Sequence, residues 1–160
     1  MGTGKSAVGR RLAARLGWRF LDTDVLIEQE AKMSIASIFA QQGESHFRTL
    51  EKETIDRICR EKKAVIATGG GAIVSEKNAV RLQESGTVIC LTATPETIFE
   101  RVRSNVDRPL LQGSDPLGKI RSLLANRAQA YAKADITIDT SGLDIENVVD
   151  TIISQVEKTA

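Results

Sequence analysis

The sequence has no run of 18 apolar residues, a single histidine and only two cysteines, and each shortage excludes a class of function. Without a long apolar run nothing is expected to span a membrane. One histidine, His46, rules out a histidine-rich metal cluster. Cys59 and Cys90 lack metal-ligand spacing, and the first residues hold no basic stretch followed by an apolar segment. The two cysteines therefore read as free core thiols of a cytoplasmic protein. A charge excess is missing too. The 22 Lys and Arg balance 21 Asp and Glu with the signs interleaved, so the basic surplus of a general nucleic-acid binder is absent. Repeats and low-complexity linkers are also lacking, and residues 1–160 read as one domain.

What is present suits a globular enzyme. Hydrophobic residues make up 41% and charged residues 27% of 160, enough chain to bury a substantial core. Short β-rich runs alternate with helical patterns, which predicts βαβ units and a parallel sheet. Ala7, Val8, Leu12, Ala13 and Leu16 recur at helical spacing, with Gly17 suited to the C′ position. Strands are predicted at Trp18–Leu21, Ala64–Ala67, Thr87–Leu91 and Ile136–Ile138. Residues 25–62 read as helices, with Ser34 as a cap and Gly43 as a break. Ser75 is expected to cap a helix ending at Gly86, and Thr94-Pro95 opens one running to about Arg103. Later helices are expected to run through Ala128 and to be capped near Asp144. The stretch from Ser104 to Gly118 has no periodicity. Its length and the segment Arg108-Pro109-Leu110-Leu111 point to a lid over about 104–118.

Gly4-Lys5-Ser6 opens an amphipathic helix and matches the end of the pattern G-x-x-x-x-G-K-[ST]. Glycines in such a loop let backbone N–H groups turn toward phosphate oxygens, and the helix N-terminus adds partial positive charge. The lysine supplies a point charge to the β- and γ-phosphates, and the serine hydroxyl ligates Mg²⁺. Gly2, Thr3, Gly4, Lys5, Ser6 and Ala7 are thus the candidate ATP-binding residues. The first glycine of the pattern would fall two residues before Met1.

Further stretches follow in order: Asp22-x-Asp24 after a strand, Phe47-Arg48-x-x-Glu51 on a helix, and Gly69-Gly70-Gly71 at a strand end. Arg108-Pro109-Leu110-Leu111 in the lid stretch and Arg127-x-x-x-Tyr131 on the next helix complete the set. Together with the phosphate loop these residues resemble shikimate kinase, a compact family of the nucleoside-monophosphate-kinase-like P-loop enzymes. The resemblance covers nearly the whole chain. It implies an α/β three-layer P-loop NTPase fold with a parallel sheet of five strands, four of them visible here, and a helical substrate-binding segment over about 24–62. It also implies ATP-dependent phosphorylation of the 3-hydroxyl of shikimate by a monomer that binds neither nucleic acid nor membrane.

By the same resemblance, Asp22 supports the Mg²⁺ shell and Asp24 holds the acceptor hydroxyls as candidate base. Two carboxylates two residues apart in extended chain face one side. The bland alternative is that Asp24 caps the helix that follows. Arg48 and Arg127 would bind the substrate carboxylate, since a planar guanidinium grips such a group bidentately. Glu51, one turn after Arg48, is expected to pair with it. Gly69, Gly70 and Gly71 would let substrate approach the backbone, and no Walker B acid follows that strand. Arg108 would neutralise charge on the phosphates as the lid closes. Arg101 matches a residue that stacks on adenine in relatives, and the turn Thr140–Leu143 lies where relatives cap the base.

The rivals are a kinase for another small polyol acid such as gluconate, and a nucleotide-binding regulatory module without catalysis. Intact Lys5, Asp24 and Arg108 argue against the second. The family begins with a strand that runs into the phosphate loop. Met1 is therefore expected to be an internal methionine, with the natural chain extending upstream by at least a strand and a glycine. A chain truly starting there is expected to show a gap or rearranged sheet next to Gly4 and poor ATP affinity.

Overall fold

The computed structural model describes residues 2–103 and 115–159, and the chain divides into two compact units, Ser6–Gly86 and Met1–Lys5 with Thr87–Ala160.

All but the first residue of α1 (Lys5–Leu16) lies in Ser6–Gly86, and the helix buries Val8, Leu12 and Ala13 on one stripe. Gly9 is buried within it, and an added Cβ there would fall 2.7 Å from the Phe20 ring. A mid-helix glycine costs about 1 kcal/mol against alanine; here it makes room for Phe20, whose other partner is the Arg10 guanidinium 5.0 Å from the ring centroid. The helix stops as its sequence predicts. Gly17 adopts φ +65°, Trp18 N donates to Ala13 O at 2.9 Å and Gly17 N to Ala14 O at 3.3 Å, a Schellman ending.

β1 (Arg19–Asp22) pairs in parallel with β2 (Ala64–Ala67), Arg19 opposite Ala64 and Asp22 opposite Ala67. Between them lie α2 (Thr23–Ala31) and α3 (Ile35–Ile58). Ile27, Ile38 and Phe47 are buried where these two helices meet, with Met33 and Leu50 packed around them. Ser34 caps α3 by accepting from Ser37 N at 3.2 Å. Gly43 breaks it with φ +83° and ψ 168°, values that favour glycine, so the helix kinks where the sequence suggested. After β2 a 3₁₀ turn (Ala72–Val74) leads to α4 (Glu76–Ser85). Ser75 occupies the cap position of α4, but its side chain makes no capping bond.

In the other unit β3 (Ile89–Thr92) pairs in parallel with β4 (Ile136–Asp139). Val88 N donates to Asp135 Oδ2 at 2.7 Å just before this pairing begins. The four anticipated strands are therefore present, but as two parallel pairs: each strand has one hydrogen-bonded neighbour among the described residues. Thr94 caps α5 (Pro95–Val102), accepting from Thr97 N at 3.2 Å, with Pro95 in the first turn. Ile98 and Val102 of α5 meet Ile120 of α6 (Pro116–Tyr131) in a buried cluster. Asp115 caps α6 through Gly118 N at 2.8 Å. That corrects the lid boundary of 104–118: residues 116–118 belong to a helix because proline at its start and a capping aspartate just before it favour one. Residues 104–114 of the expected lid, Arg108 included, lie outside the described residues. α7 (Ile145–Thr159) buries Val148, Val149 and Ile152 and is capped by Asp144, which accepts from Asn147 N at 2.8 Å.

Both cysteines are free thiols, Cys59 buried and Cys90 half-buried on β3. Burial pushes the Cys90 thiol up, with the Lys5 charge opposing it, so Cys90 is not an activated thiolate. No helix among the described residues is long and apolar enough to cross a membrane.

Candidate functional site

The nominated residues form two clusters, one in each unit. In Ser6–Gly86 the chain leaves β1 at Asp22, whose carboxylate does two things. Its Oδ1 accepts from Asp24 N at 3.1 Å and caps α2, while Oδ2 accepts from Ser6 Oγ at 2.7 Å. The helix cap is therefore Asp22 and not Asp24, which removes the bland explanation for Asp24. A serine hydroxyl bonded to a carboxylate is a pair of hard oxygen donors, which fits a magnesium ion. Among the described residues no group of three or more His, Cys, Asp and Glu side chains could hold a metal by itself. Such a pair would need phosphate and water oxygens to complete six-fold coordination, as is usual for Mg²⁺.

Leaving β2, the chain turns through Gly69-Gly70-Gly71. The buried Thr23 hydroxyl accepts from Gly69 N at 3.1 Å and ties this turn to the start of α2. A Cβ on Gly69 would lie 3.0 Å from Asp24 Oδ1 and 3.3 Å from Glu51 Oε1. One on Gly71 would lie 2.9 and 3.0 Å from the two terminal nitrogens of Arg48. A stretch of bare backbone thus carries a carboxylate against one end and a guanidinium against the other. Arg48 is held in place: Nη1 donates to Glu51 Oε2 at 2.9 Å, Nη2 and Nε to Glu44 Oε1 at 3.1 and 3.3 Å. Partial burial alone would lower the Arg48 pKa, but the hydrogen bond and charge of Glu51, reinforced by Glu44, outweigh it and hold the group above its ordinary value. Glu51 is 1% exposed, and its Oε1 has no hydrogen-bond partner among the described residues. The pairing of Arg48 with Glu51 was expected from their i, i+3 spacing, whereas the second partner, Glu44 at i−4, was not.

The other unit holds Gly2, Thr3, Gly4 and Lys5 together with α5 and the turn after β4. Gly2 (φ +67°) and Gly4 (φ +86°) both take the left-handed conformation a phosphate loop requires. Thr3 is buried, and its hydroxyl also has no hydrogen-bond partner among the described residues. Lys5 opens α1 half-buried, and Ala7 in its first turn is exposed. Arg101, near the end of α5, donates from Nη1 to Thr140 Oγ1 at 2.9 Å and from Nη2 to Thr140 O at 2.8 Å. The predicted adenine-side residue and the predicted adenine-side turn are therefore joined, a link that residues 39 apart in sequence do not advertise. Arg127 is half-buried on α6 of this unit.

A family profile described as shikimate kinase matches residues 1–157. The chain is 46% identical over 157 residues to a shikimate kinase of Geobacter metallireducens, covering 98% of this chain and 88% of that one. It is 45% identical over 158 residues to one of Thermodesulfovibrio yellowstonii, covering 99% and 91%. Among solved structures, a shikimate kinase from Acinetobacter baumannii in complex with shikimate superposes with a TM-score of 0.95 at 37% identity, covering 99% of this chain and 89% of that one. One from Bacteroides thetaiotaomicron gives 0.91 at 30% identity, covering 98% and 94%. The P-loop α/β fold expected from the motifs is the fold of these structures, and the chain belongs to the shikimate kinase family.

Proposed function

We propose that the two clusters carry out the family's reaction through the following residues. As a shikimate kinase the chain is a phosphotransferase with an alcohol acceptor and ATP as co-substrate, acting in the route to aromatic amino acids. The γ-phosphoryl group passes to the 3-hydroxyl of shikimate: the new P–O bond forms, the bond to the β-phosphate oxygen breaks, and ADP leaves. Phosphoryl transfer asks the protein for alignment and charge neutralisation more than for covalent chemistry. Gly2, Thr3, Gly4, Ser6 and Ala7 offer the backbone of a phosphate loop, and Lys5 adds its point charge to the phosphates. Arg101 flanks the base, and Arg108, by resemblance, adds charge over the phosphates.

On the acceptor side Asp24 orients the hydroxyl and takes its proton. Arg48 and Arg127 bind the carboxylate of shikimate, and Gly69, Gly70 and Gly71 form the floor. Ser6 and Asp22 would hold Mg²⁺, whose charge offsets that of the phosphate oxygens. The observation that carries this reading is the glycine turn with Asp24 at one end and Arg48 at the other. That arrangement suits a small molecule bearing a hydroxyl and a carboxylate. The enzyme is read as a cytoplasmic monomer that binds no nucleic acid.

The test is ADP release measured with ATP and either shikimate or gluconate, with and without EDTA, for the wild type and Lys5→Ala. Turnover is expected with shikimate only and is lost on chelation. Lys5→Ala is expected to lower kcat by about 10²–10³, the usual cost of one transition-state charge contact. Equal rates with gluconate would overturn the substrate assignment. A folded Lys5→Ala protein of full activity would overturn the role of the loop.

A further inference from the structure

The helix α5 touches both ends of the proposed nucleotide site. At one end a Cβ on Gly2 would lie 2.8 Å from Val102 Cγ1 and 2.9 Å from Ile98 Cγ2, so the phosphate loop rests directly on α5. Ile98 and Val102 are fully buried against Ile120, so the loop rests on the packed face of α5. At the other end Arg101 grips Thr140 by its hydroxyl and its carbonyl, at 2.9 and 2.8 Å.

Thr140 is itself immobilised. It is 2% exposed. Its Oγ1 donates to Thr92 O at 2.9 Å, and its backbone N donates to the same carbonyl at 2.9 Å. The hydroxyl therefore has a donor and an acceptor partner, and valine in its place would leave Arg101 Nη1 without its oxygen. A second anchor holds the turn, because Ser141 Oγ accepts from Thr94 N at 3.0 Å. Thr94 is the residue that caps α5. The turn is thus fastened to both ends of α5, the helix on which the phosphate loop rests.

We infer that Thr140 is a positioning residue for the nucleotide: with Arg101 it locks the 140–143 turn to α5, and α5 sets the span between the phosphate loop and the base. This rests on the reading of Arg101 and the turn as the base end of the ATP site. A site of fixed span binds a nucleoside triphosphate through both ends at once, and loosening one end forfeits the preorganisation of the whole. The prediction is selective: ATP binding weakens, while binding of a ligand that uses the phosphate end alone does not.

The experiment compares Thr140→Val, Thr140→Ser, Ser141→Ala and Arg101→Ala with the wild type. It measures KM for ATP, KM for shikimate, kcat, and the inhibition constant of inorganic tripolyphosphate, which carries no base. Thr140→Val is expected to raise the ATP KM about tenfold, the effect of losing one hydrogen bond to a charged group. Values of kcat, shikimate KM and tripolyphosphate inhibition should stay within about twofold, and Thr140→Ser should restore the ATP KM. Should Thr140→Val fail to fold, Ser141→Ala, which releases the second anchor without touching Arg101, carries the same expectation at about threefold.

A rise shared equally by the tripolyphosphate constant or by shikimate KM would reduce Thr140 to a structural residue and overturn the inference. So would an unchanged ATP KM in Thr140→Val or, where only Ser141→Ala folds, in that variant. Arg101→Ala separates the two levels. If it raises the ATP KM while the turn variants do not, the base site stands and the positioning role falls. If it too leaves the ATP KM unchanged, the base does not bind here and both fall.

Discussion

Arg48 donates to Glu51 Oε2 at 2.9 Å from a position only partly buried, while Glu51 is 1% exposed and keeps a second carboxylate oxygen without a partner among the described residues. A buried carboxylate is retained at a desolvation cost that its partner must offset. The pair therefore orients the guanidinium and adds little net stability. Glu51→Gln keeps the volume and removes the charge, leaving Arg48 to the exposed Glu44. Discounted for the exposure of Arg48, the lost charge-assisted bond is worth about 1 kcal/mol, or roughly fivefold. The expected result is a shikimate KM raised about fivefold with the ATP KM unchanged. Steady-state kinetics with each substrate varied in turn checks it; an equal change in both constants would contradict an orienting role.

Gly71 offers a test from the opposite side. A methyl group there would press on both terminal nitrogens of Arg48, at 2.9 and 3.0 Å, the nearest atoms it would meet. The guanidinium is the far end of a flexible chain, so it can swing away and the fold survives. Gly71→Ala is therefore expected to lose shikimate affinity by about tenfold or more, as one carboxylate contact to a charged group is lost. The thermal midpoint should move little. A melting curve beside a shikimate titration distinguishes this from a damaged fold.

The parts of this molecule governed by neighbours in sequence were readable from it, and the parts governed by approach in space were not. Thr94 before Pro95, Ser34, Gly17 and the break at Gly43 all act through bonds spanning a few residues. Residue chemistry alone points to them. The same holds for Arg48 and Glu51, one helical turn apart. Asp22 and Asp24 were harder. Either could cap the next helix, and the outcome depends on where β1 ends; Asp22 caps α2 because it also meets Ser6, 16 residues away. Nothing in the helical pattern of α1 marks Gly9, because its role comes from the Phe20 ring packed against it. Arg101 and Thr140 carry no pattern that links them; only the packing of α5 beside the β4 turn does.

Gly2 should be the least replaceable glycine of the loop. Its φ of +67° is unfavourable for any side chain, and an added Cβ would lie 2.8 Å from Val102 and 2.9 Å from Ile98, both buried. The left-handed backbone costs about 1–2 kcal/mol for alanine, and forcing a methyl into a filled core about 1–3 kcal/mol more. Gly2→Ala is expected to lower stability by about 2–5 kcal/mol in urea denaturation. ATP affinity should fall with it, since the loop must lift off α5. A change below about 0.5 kcal/mol, the range of ordinary surface substitutions, would mean that the loop does not rest on that helix.

Asp139 gives a prediction for acid. Its Oδ1 accepts from Ser141 N at 2.9 Å, and this bond together with one from the Ser141 side chain holds its carboxyl below the usual aspartate value, the nearby Arg101 charge adding to them. A carboxylate whose folded pKa is depressed contributes stability above its unfolded pKa and loses that contribution as the pH falls through the folded one. The contribution of Asp139 is thus complete at neutral pH and disappears as the pH drops below about 4. It is small, because the group is fully exposed. The consequence is local: protonation weakens the acceptor that shapes the turn Thr140–Leu143, to which the base end of the nucleotide is assigned. As the pH is lowered from 6 toward 2.5, the wild type should therefore lose slightly more thermal stability than Asp139→Asn, which cannot titrate and begins from a lower plateau. Thermal midpoints measured every half unit across that range would show the two curves converging at the acid end. Parallel curves would mean that the Asp139 carboxylate has the same proton affinity folded and unfolded, and that the turn is held by Thr140 and Ser141 alone.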